Sequence, residues 1–337
     1  MNRKKLDIAL DYSIYNGRCS YVDITMVHRD KLVERSIVVI GETIDTISEL
    51  YGDCLHNITV ERLVIGIFFT GVKLSIGHAG ISYTPVLEMH DDVRHASPIF
   101  TKNMPARFRG MTARDILYDL SDTPMHKTVK ITVLNALSAL FLNEERYSIL
   151  EGIDVLDCVN FDAMSQIGMV GAFPSFLQKF KTVHNVKLSV IEKKRESLTD
   201  DDAKYFVPAD QAPHVIPLCD ILIVTGASIA NGTIDALLSY ARYDARIIVV
   251  GPTASFLPDA FFRRGVDIVS GVSILEPDKT LDMLSEGIGA YHLFRGCVKK
   301  INIREKNHQT RNPLDETAMQ ISREKKEVCN GISSLCR

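Results

Sequence analysis

Beyond residue 150 the chain settles into a regular rhythm of short apolar runs and amphipathic stretches. The runs are QIGMVG (166–171), VKLSVIE (186–192), DILIVTG (220–226), RIIVVG (246–251) and DIVSGVSI (267–274). Between and after them lie PSFLQKF (174–180), TIDALLSYAR (233–242), PDAFFRRG (258–265) and DKTLDMLSEG (278–287). In the second stretch Ile234, Leu237, Leu238 and Ala241 fall at i, i+3, i+4 and i+7, one face of a helix. Strand–helix alternation of this kind predicts parallel strands with crossover helices. Runs that are apolar on both faces predict a sheet covered on both sides.

The first 150 residues read differently. YVDITMV (21–27) and RSIVVI (35–40) are β-branched and predict strands. TIDTISELYGDCL (43–55) predicts a helix with Ile44, Ile47, Leu50 and Leu55 near one face. RLVIGIFFTGVKLSI (62–76) and AGISYTPVL (79–87) predict two strands with Gly77 and His78 at the turn. Residues 88–110 read as a loop. TARDILYDLS (112–121) and HKTVKITVLNALSALFLN (126–143) read as helices, the second apolar on nearly every side and therefore buried. After residue 300 the chain is strongly charged, and Asn312, Pro313 and Gly331 bracket a further predicted helix. The expected organisation is an extension over 1–41, a small α+β domain over 42–148, an open parallel-sheet α/β domain over 149–300, and a charged helical tail over 301–337.

Composition narrows the function classes. The 337 residues are 46% hydrophobic and 24% charged, ordinary globular values, with a formal net charge of -3. Without a basic excess, nucleic acid is not an expected partner. The seven cysteines form no CxxC pair, which disfavours a zinc ribbon or a disulfide framework. No apolar stretch approaches the roughly 18 residues of a membrane span, and the start lacks the apolar core of a signal peptide. The expectation is a cytoplasmic protein with reduced thiols and no membrane partner. The long apolar helix and the tail offer surfaces for a homo-oligomer.

Three loops stand where a predicted strand ends and a helix begins. They are Gly168-Met-Val-Gly171-Ala-Phe-Pro174, Thr225-Gly226-Ala-Ser228-Ile-Ala-Asn231-Gly232-Thr233 and Gly251-Pro-Thr253. In an open parallel sheet such loops share the carboxyl edge, where ligands bind. Glycine admits close approach of a ligand, and helix N-termini present N–H groups to anions. The loops therefore predict a polar, uncharged crevice for a phosphate, carboxylate or similar small anionic ligand. Asn231 and Thr233 would either line it or cap the following helix. Glu192 ends the strand after Gly168 and Gly171, where an acidic residue meets a nucleotide ribose, although the loop carries G-x-x-G and not G-x-G-x-x-G. It is either a ribose contact or a solvated strand end. For a metal, Glu88, His90, Asp91, Asp92 and His95 cluster in EMHDDVRH. His90, Asp92 and His95 suit a transition metal, and a solvated acidic loop is the competing reading. No nucleophile elbow, P-loop or HExxH is present, so no catalytic residue is assigned and the chain is not read as a particular enzyme.

Together the three loops, with Gly265-Val-Asp-Ile-Val-Ser-Gly271, resemble the family named "putative heavy-metal chelation", whose biochemical function is unassigned. In the first half Ile65-Gly-Ile-Phe-Phe-Thr70, Gly80-Ile-Ser-Tyr-Thr84, Phe108-Arg-Gly-Met-Thr-Ala113 and Leu134-Asn-Ala-Leu137 carry the same resemblance. It spans roughly residues 42–296. The resemblance implies an enolase-N-terminal-like domain followed by a Rossmann-like domain, with a site in the cleft between them. It also implies a role in heavy-metal handling or anaerobic cobalamin synthesis. The matched motifs hold no soft metal ligand. The expected function is therefore binding or chelation of a heavy metal or a metal-bearing small molecule, such as a metal chelate, in that cleft. The alternative is an enzyme on a nucleotide or anionic metabolite using a Rossmann-like cofactor site.

Overall fold

A computed structural model describes residues 39–86, 88, 107–120, 123–159, 165–182 and 186–306. It holds two sheets. A three-stranded antiparallel sheet is built from β1 (Val60–Ile65), β2 (Phe69–Leu74) and β3 (Ala79–Tyr83). An eight-stranded sheet contains β4 (Tyr147–Glu151), β5 (Gln166–Val170), β6 (Lys187–Glu192), β7 (Phe206–Pro208), β8 (Ile221–Thr225), β9 (Arg246–Val250), β10 (Val266–Ile274) and β11 (Val298–Glu305). Its order is β4-β11-β10-β9-β8-β5-β6-β7. From β7 to β10 the strands are parallel, while β11 runs antiparallel to both neighbours. The chain winds outward from β5 to β7, returns, and winds the other way from β8 to β10. Between β5 and β8 the order reverses, which leaves a crevice at the carboxyl ends of those two strands.

The helix Pro124–Ser138 joins the two sheets. Thr123 caps it by accepting the His126 N–H, and Pro124 at the first position gives up no helical bond. Twelve of its residues are buried, so it is covered all round, as its sequence predicts. β3 packs against one side and the loop Pro252–Ala254 against another. Gly80 permits the first contact: a Cβ there would stand 2.1 Å from Thr132 O and 2.6 Å from Ala136 N. One contiguous core includes Val39, Leu74 and Leu134 together with Leu222, Val249 and Ile303, so residues from both halves of the chain share it.

Several elements differ from the sequence reading. The predicted strand over 62–76 is two strands, folded at Gly66–Phe68, where Gly66 N–H donates to Phe69 O. Val39 and Ile40, expected in a strand, lie in a helix that the structure describes over 39–51. Both are buried, and their β-branching reflects the core they enter. Residues 301–305, expected to begin a helical tail, form most of β11. Polarity misleads there because Asn302 and Arg304 are themselves buried. Asn302 Nδ2 donates to Ile153 O and an Arg304 guanidinium N–H to Cys158 O. The predicted strand over 21–27 and helix over 312–331 lie outside the described residues.

An ion cluster ties the first helix to the large sheet. Glu42 accepts from Arg263 and Arg264, and Arg264 Nε also lies 3.3 Å from Asp235. The Arg264 hydrogen bond comes first, with Arg263 adding to it, in drawing the Glu42 carboxyl from 4.5 to about 2 despite partial burial. A depressed folded-state value gives stability that is complete above the unfolded value and is lost as pH falls toward 2. Glu42→Gln should therefore flatten the acid limb between pH 4.5 and 2 and cost about 1 kcal/mol at neutral pH, a value reduced for solvent screening. Urea titrations at stepped pH would show it; an unchanged acid limb would refute it.

Candidate functional site

The three predicted loops do converge on the carboxyl edge of the large sheet. β5 runs into Gly171 (φ +93°), β8 into Gly226 and β9 into Gly251 (φ +136°). Each glycine still belongs to the ladder. Gly171 N–H donates to Ile191 O (3.0 Å), Gly226 N–H to Val250 O (2.7 Å) and Gly251 N–H to Ser270 O (2.8 Å). The next amides are used as well: Ala172 N–H donates to Glu192 Oε1 (3.3 Å) and Ala227 N–H to Thr225 Oγ1 (3.3 Å). Five of the loop N–H groups that the sequence offers to an anion are thus already bonded within the chain. On the first loop the acceptor is the chain's own Glu192 carboxylate.

The side chains divide in the same way. Ser228 is buried and donates to Thr225 O (2.6 Å), holding the turn. Asn231 Oδ1 accepts from both the amide and the hydroxyl of Thr233. Thr233 occupies the N-cap position of Ile234–Tyr240 without making a side-chain cap bond. Thr253 Oγ1 accepts Tyr83 N–H (2.9 Å), so it closes the edge of β3. Gly168 is a correction: it lies inside β5, not in the loop, and a Cβ there would stand 2.6 Å from Cys219 Sγ. It is glycine for packing. Gly232 (φ +77°) makes a turn beside Lys127.

Two cavities open at this edge. One, of about 300 Å³, fills the crevice between β5 and β8 and brings together Gly171, Glu192, Thr225, Ser228, Asn231 and Thr233. The second, of about 320 Å³, takes Thr225, Gly251 and Thr253 with a wall of phenylalanines. Tyr83, Thr225 and Ala227 border both cavities. Gly226 and Gly232 border neither. Sequence reasoning missed Tyr83 and Phe69, because the three-stranded sheet reaches this edge only in three dimensions; Lys193 was passed over although it follows Glu192 directly. Phe173 did stand inside a quoted loop, and its bulk beside glycines was the available signal.

One ion pair crosses the crevice. Lys193 Nζ donates to Glu88 Oε1 (2.9 Å), bridging the segment after β3 to the end of β6. Burial opposes ionisation of Glu88, but the Lys193 bond holds its carboxyl below the usual value. Burial, with the Glu88 charge nearby, raises the Tyr83 phenol. Among the described residues no group of three or more His, Cys, Asp or Glu side chains could hold a metal ion. Cys158, Cys219 and Cys297 are buried, and burial pushes the Cys219 thiol up to about 11. The described donors therefore do not fit a metal held by protein ligands alone. His90, Asp92 and His95 lie outside the described residues.

Two family models match the chain, both described as "Putative heavy-metal chelation". One covers residues 48–138 and the other residues 154–303. An uncharacterized protein of Methanocaldococcus jannaschii is 28% identical over 178 residues, 52% of this chain. The match spans 65% of that protein's length, less than two thirds. A crystal structure from Pyrococcus horikoshii is similar with a TM-score of 0.63 at 19% identity, covering 79% of this chain and 99% of that one. Another, from Desulfitobacterium hafniense DCB-2, has a TM-score of 0.57 at 18% identity, covering 77% and 99%. Both are of proteins with unknown function from the family that matches residues 154–303. They share the fold with this chain.

Proposed function

Because the chain belongs to the family described as "Putative heavy-metal chelation", we propose that its carboxyl-edge cavities bind a metal already held by a small organic chelator. The observation that carries this reading is a contrast. Two ligand-sized cavities meet at Tyr83 and Thr225, yet among the described residues no cluster of three or more His, Cys, Asp or Glu side chains could hold a metal ion there. The metal is cargo, and the chelator supplies the soft or nitrogenous donors that the loops lack. The three-stranded sheet, fixed through Tyr83 and Thr253, covers the site from one side.

The test compares Ni(II), dipicolinate, and their one-to-one complex as additives in thermal unfolding of the untagged chain. A ligand at 100 times its dissociation constant stabilises by about 2.7 kcal/mol. The complex should raise the melting temperature more than either component. Equal stabilisation by free Ni(II) would overturn the reading in favour of protein-borne chelation. Loss of that effect in His90→Ala and His95→Ala would then place the metal on the 88–95 segment.

The strand order favours one alternative, a Rossmann-like site for a nucleotide. Glu192 ends β6, next to β5, where an acidic side chain meets a ribose in such sheets. In this chain its carboxylate accepts from Ala172 and Lys193 amides. On this alternative NAD or ATP binds by calorimetry and Glu192→Ala weakens it about tenfold, the loss of a charged hydrogen bond. Absence of binding by either nucleotide would remove it.

A further inference from the structure

The phenylalanine-walled cavity has a chemistry of its own, distinct from the crevice beside it. Phe173 and Phe176 stack at 5.1 Å between centroids on one side. Phe69, from β2, and Phe294 come from other parts of the chain. At its border stand two charged residues, Asp154 and Lys300. One Asp154 oxygen is committed elsewhere: Oδ1 accepts Leu156 N–H at 3.0 Å, capping a turn of helix. Lys300 Nζ forms an ion pair with Asp154 Oδ2 at 3.7 Å, too long for a hydrogen bond, and stands 5.3 Å from the Phe294 ring centroid. The ammonium is thus held over an aromatic face at the mouth of an apolar chamber, with donor capacity toward an incoming group.

We infer that this cavity takes the organic part of the ligand, a flat apolar or aromatic body bearing one anionic group that Lys300 binds. The inference rests on the binding function proposed above and adds the ligand class and the residue that selects it. Four phenylalanines supply stacking and edge contacts for a ring. Water excluded by such walls strengthens a charge pair at the rim relative to one in bulk solvent. The lysine stem lies along apolar surface while its head meets the anion. A neutral ring of the same shape therefore binds through the walls alone.

Two fluorescent probes separate these contributions in the full chain. Anilinonaphthalene sulfonate has the ring body and an anion, and N-phenylnaphthylamine has the body without it. The sulfonate probe should bind about tenfold more tightly, as expected of a charge-assisted contact. Lys300→Met, which keeps the apolar stem, should remove that advantage and leave the neutral probe unchanged. Phe173→Ala should weaken both. Rising salt should weaken the sulfonate probe alone. Equal affinities for the two probes, or a sulfonate probe indifferent to Lys300→Met, would overturn the inference. So would failure of both probes to bind. None of these results decides the nickel–dipicolinate comparison, so the two readings fail separately.

Discussion

Gly80→Ala is expected to destabilise the protein by about 3 kcal/mol, the upper end of the range for an overpacked core. The new methyl group would meet Thr132 O at 2.1 Å and Ala136 N at 2.6 Å. Both are backbone atoms of the helix Pro124–Ser138, so no rotamer change relieves the contact. Either β3 or the helix must move, and the helix is buried on all sides. Movement of β3 would also disturb Tyr83 and the Thr253 contact that fixes it at the site. Gly296→Ala is the control. It has only Lys279 Cε at 4.0 Å, and should change stability by less than about 0.5 kcal/mol. Denaturant midpoints measure both, and a Gly80→Ala midpoint equal to the parent's would refute the expectation.

Asn135→Leu carries the second large effect. The side chain is 4% exposed, and its Nδ2 donates to Ile81 O at 2.6 Å. The carbonyls of Pro252 and Thr253 lie at 3.3 and 3.4 Å. One amide thus joins the three-stranded sheet, the central helix and the strand-end loop of the large sheet. Leucine keeps the volume and removes the donor, so the buried Ile81 carbonyl loses its Asn135 bond at about 1–3 kcal/mol, while Pro252 O keeps the Ser255 hydroxyl and amide. A loss of roughly 3 kcal/mol is expected, larger than for an exposed polar residue. Asn135→Asp adds a check on mechanism. A carboxylate among carbonyl oxygens should have a raised pKa, so the variant's stability relative to the parent should be greatest at low pH and fall as pH rises through the folded value. A pH-independent Asn135→Asp variant would show that the carbonyls do not surround this position as described.

Much of the second half was legible because its signals are local. Each of the five apolar runs after residue 150 is a strand, and each loop that follows β5, β8 and β9 carries the glycine needed for the turn. The burial of the helix Pro124–Ser138 was legible from the same rule, since a segment apolar on all sides has no face for water. Gly168 marks the limit. In sequence it looks like the first glycine of a phosphate loop, while in space it makes room for Cys219 from a distant turn. Thr253 is similar: its hydroxyl suits a ligand by type, and only the placement of β3 commits it to Tyr83.

The amino-acid sequence alone determined the alternation, the carboxyl-edge loops and the family resemblance, because periodicity and turn chemistry act over a few residues. Tertiary structure decided what those loops can do. Ladder bonds consumed the glycine amides, Glu192 occupied Ala172, and Phe69 and Tyr83 arrived from the three-stranded sheet to wall the cavities. A donor's availability depends on whether a partner far along the chain has already taken it. That is a property of pairing in space, which neither residue type nor spacing encodes.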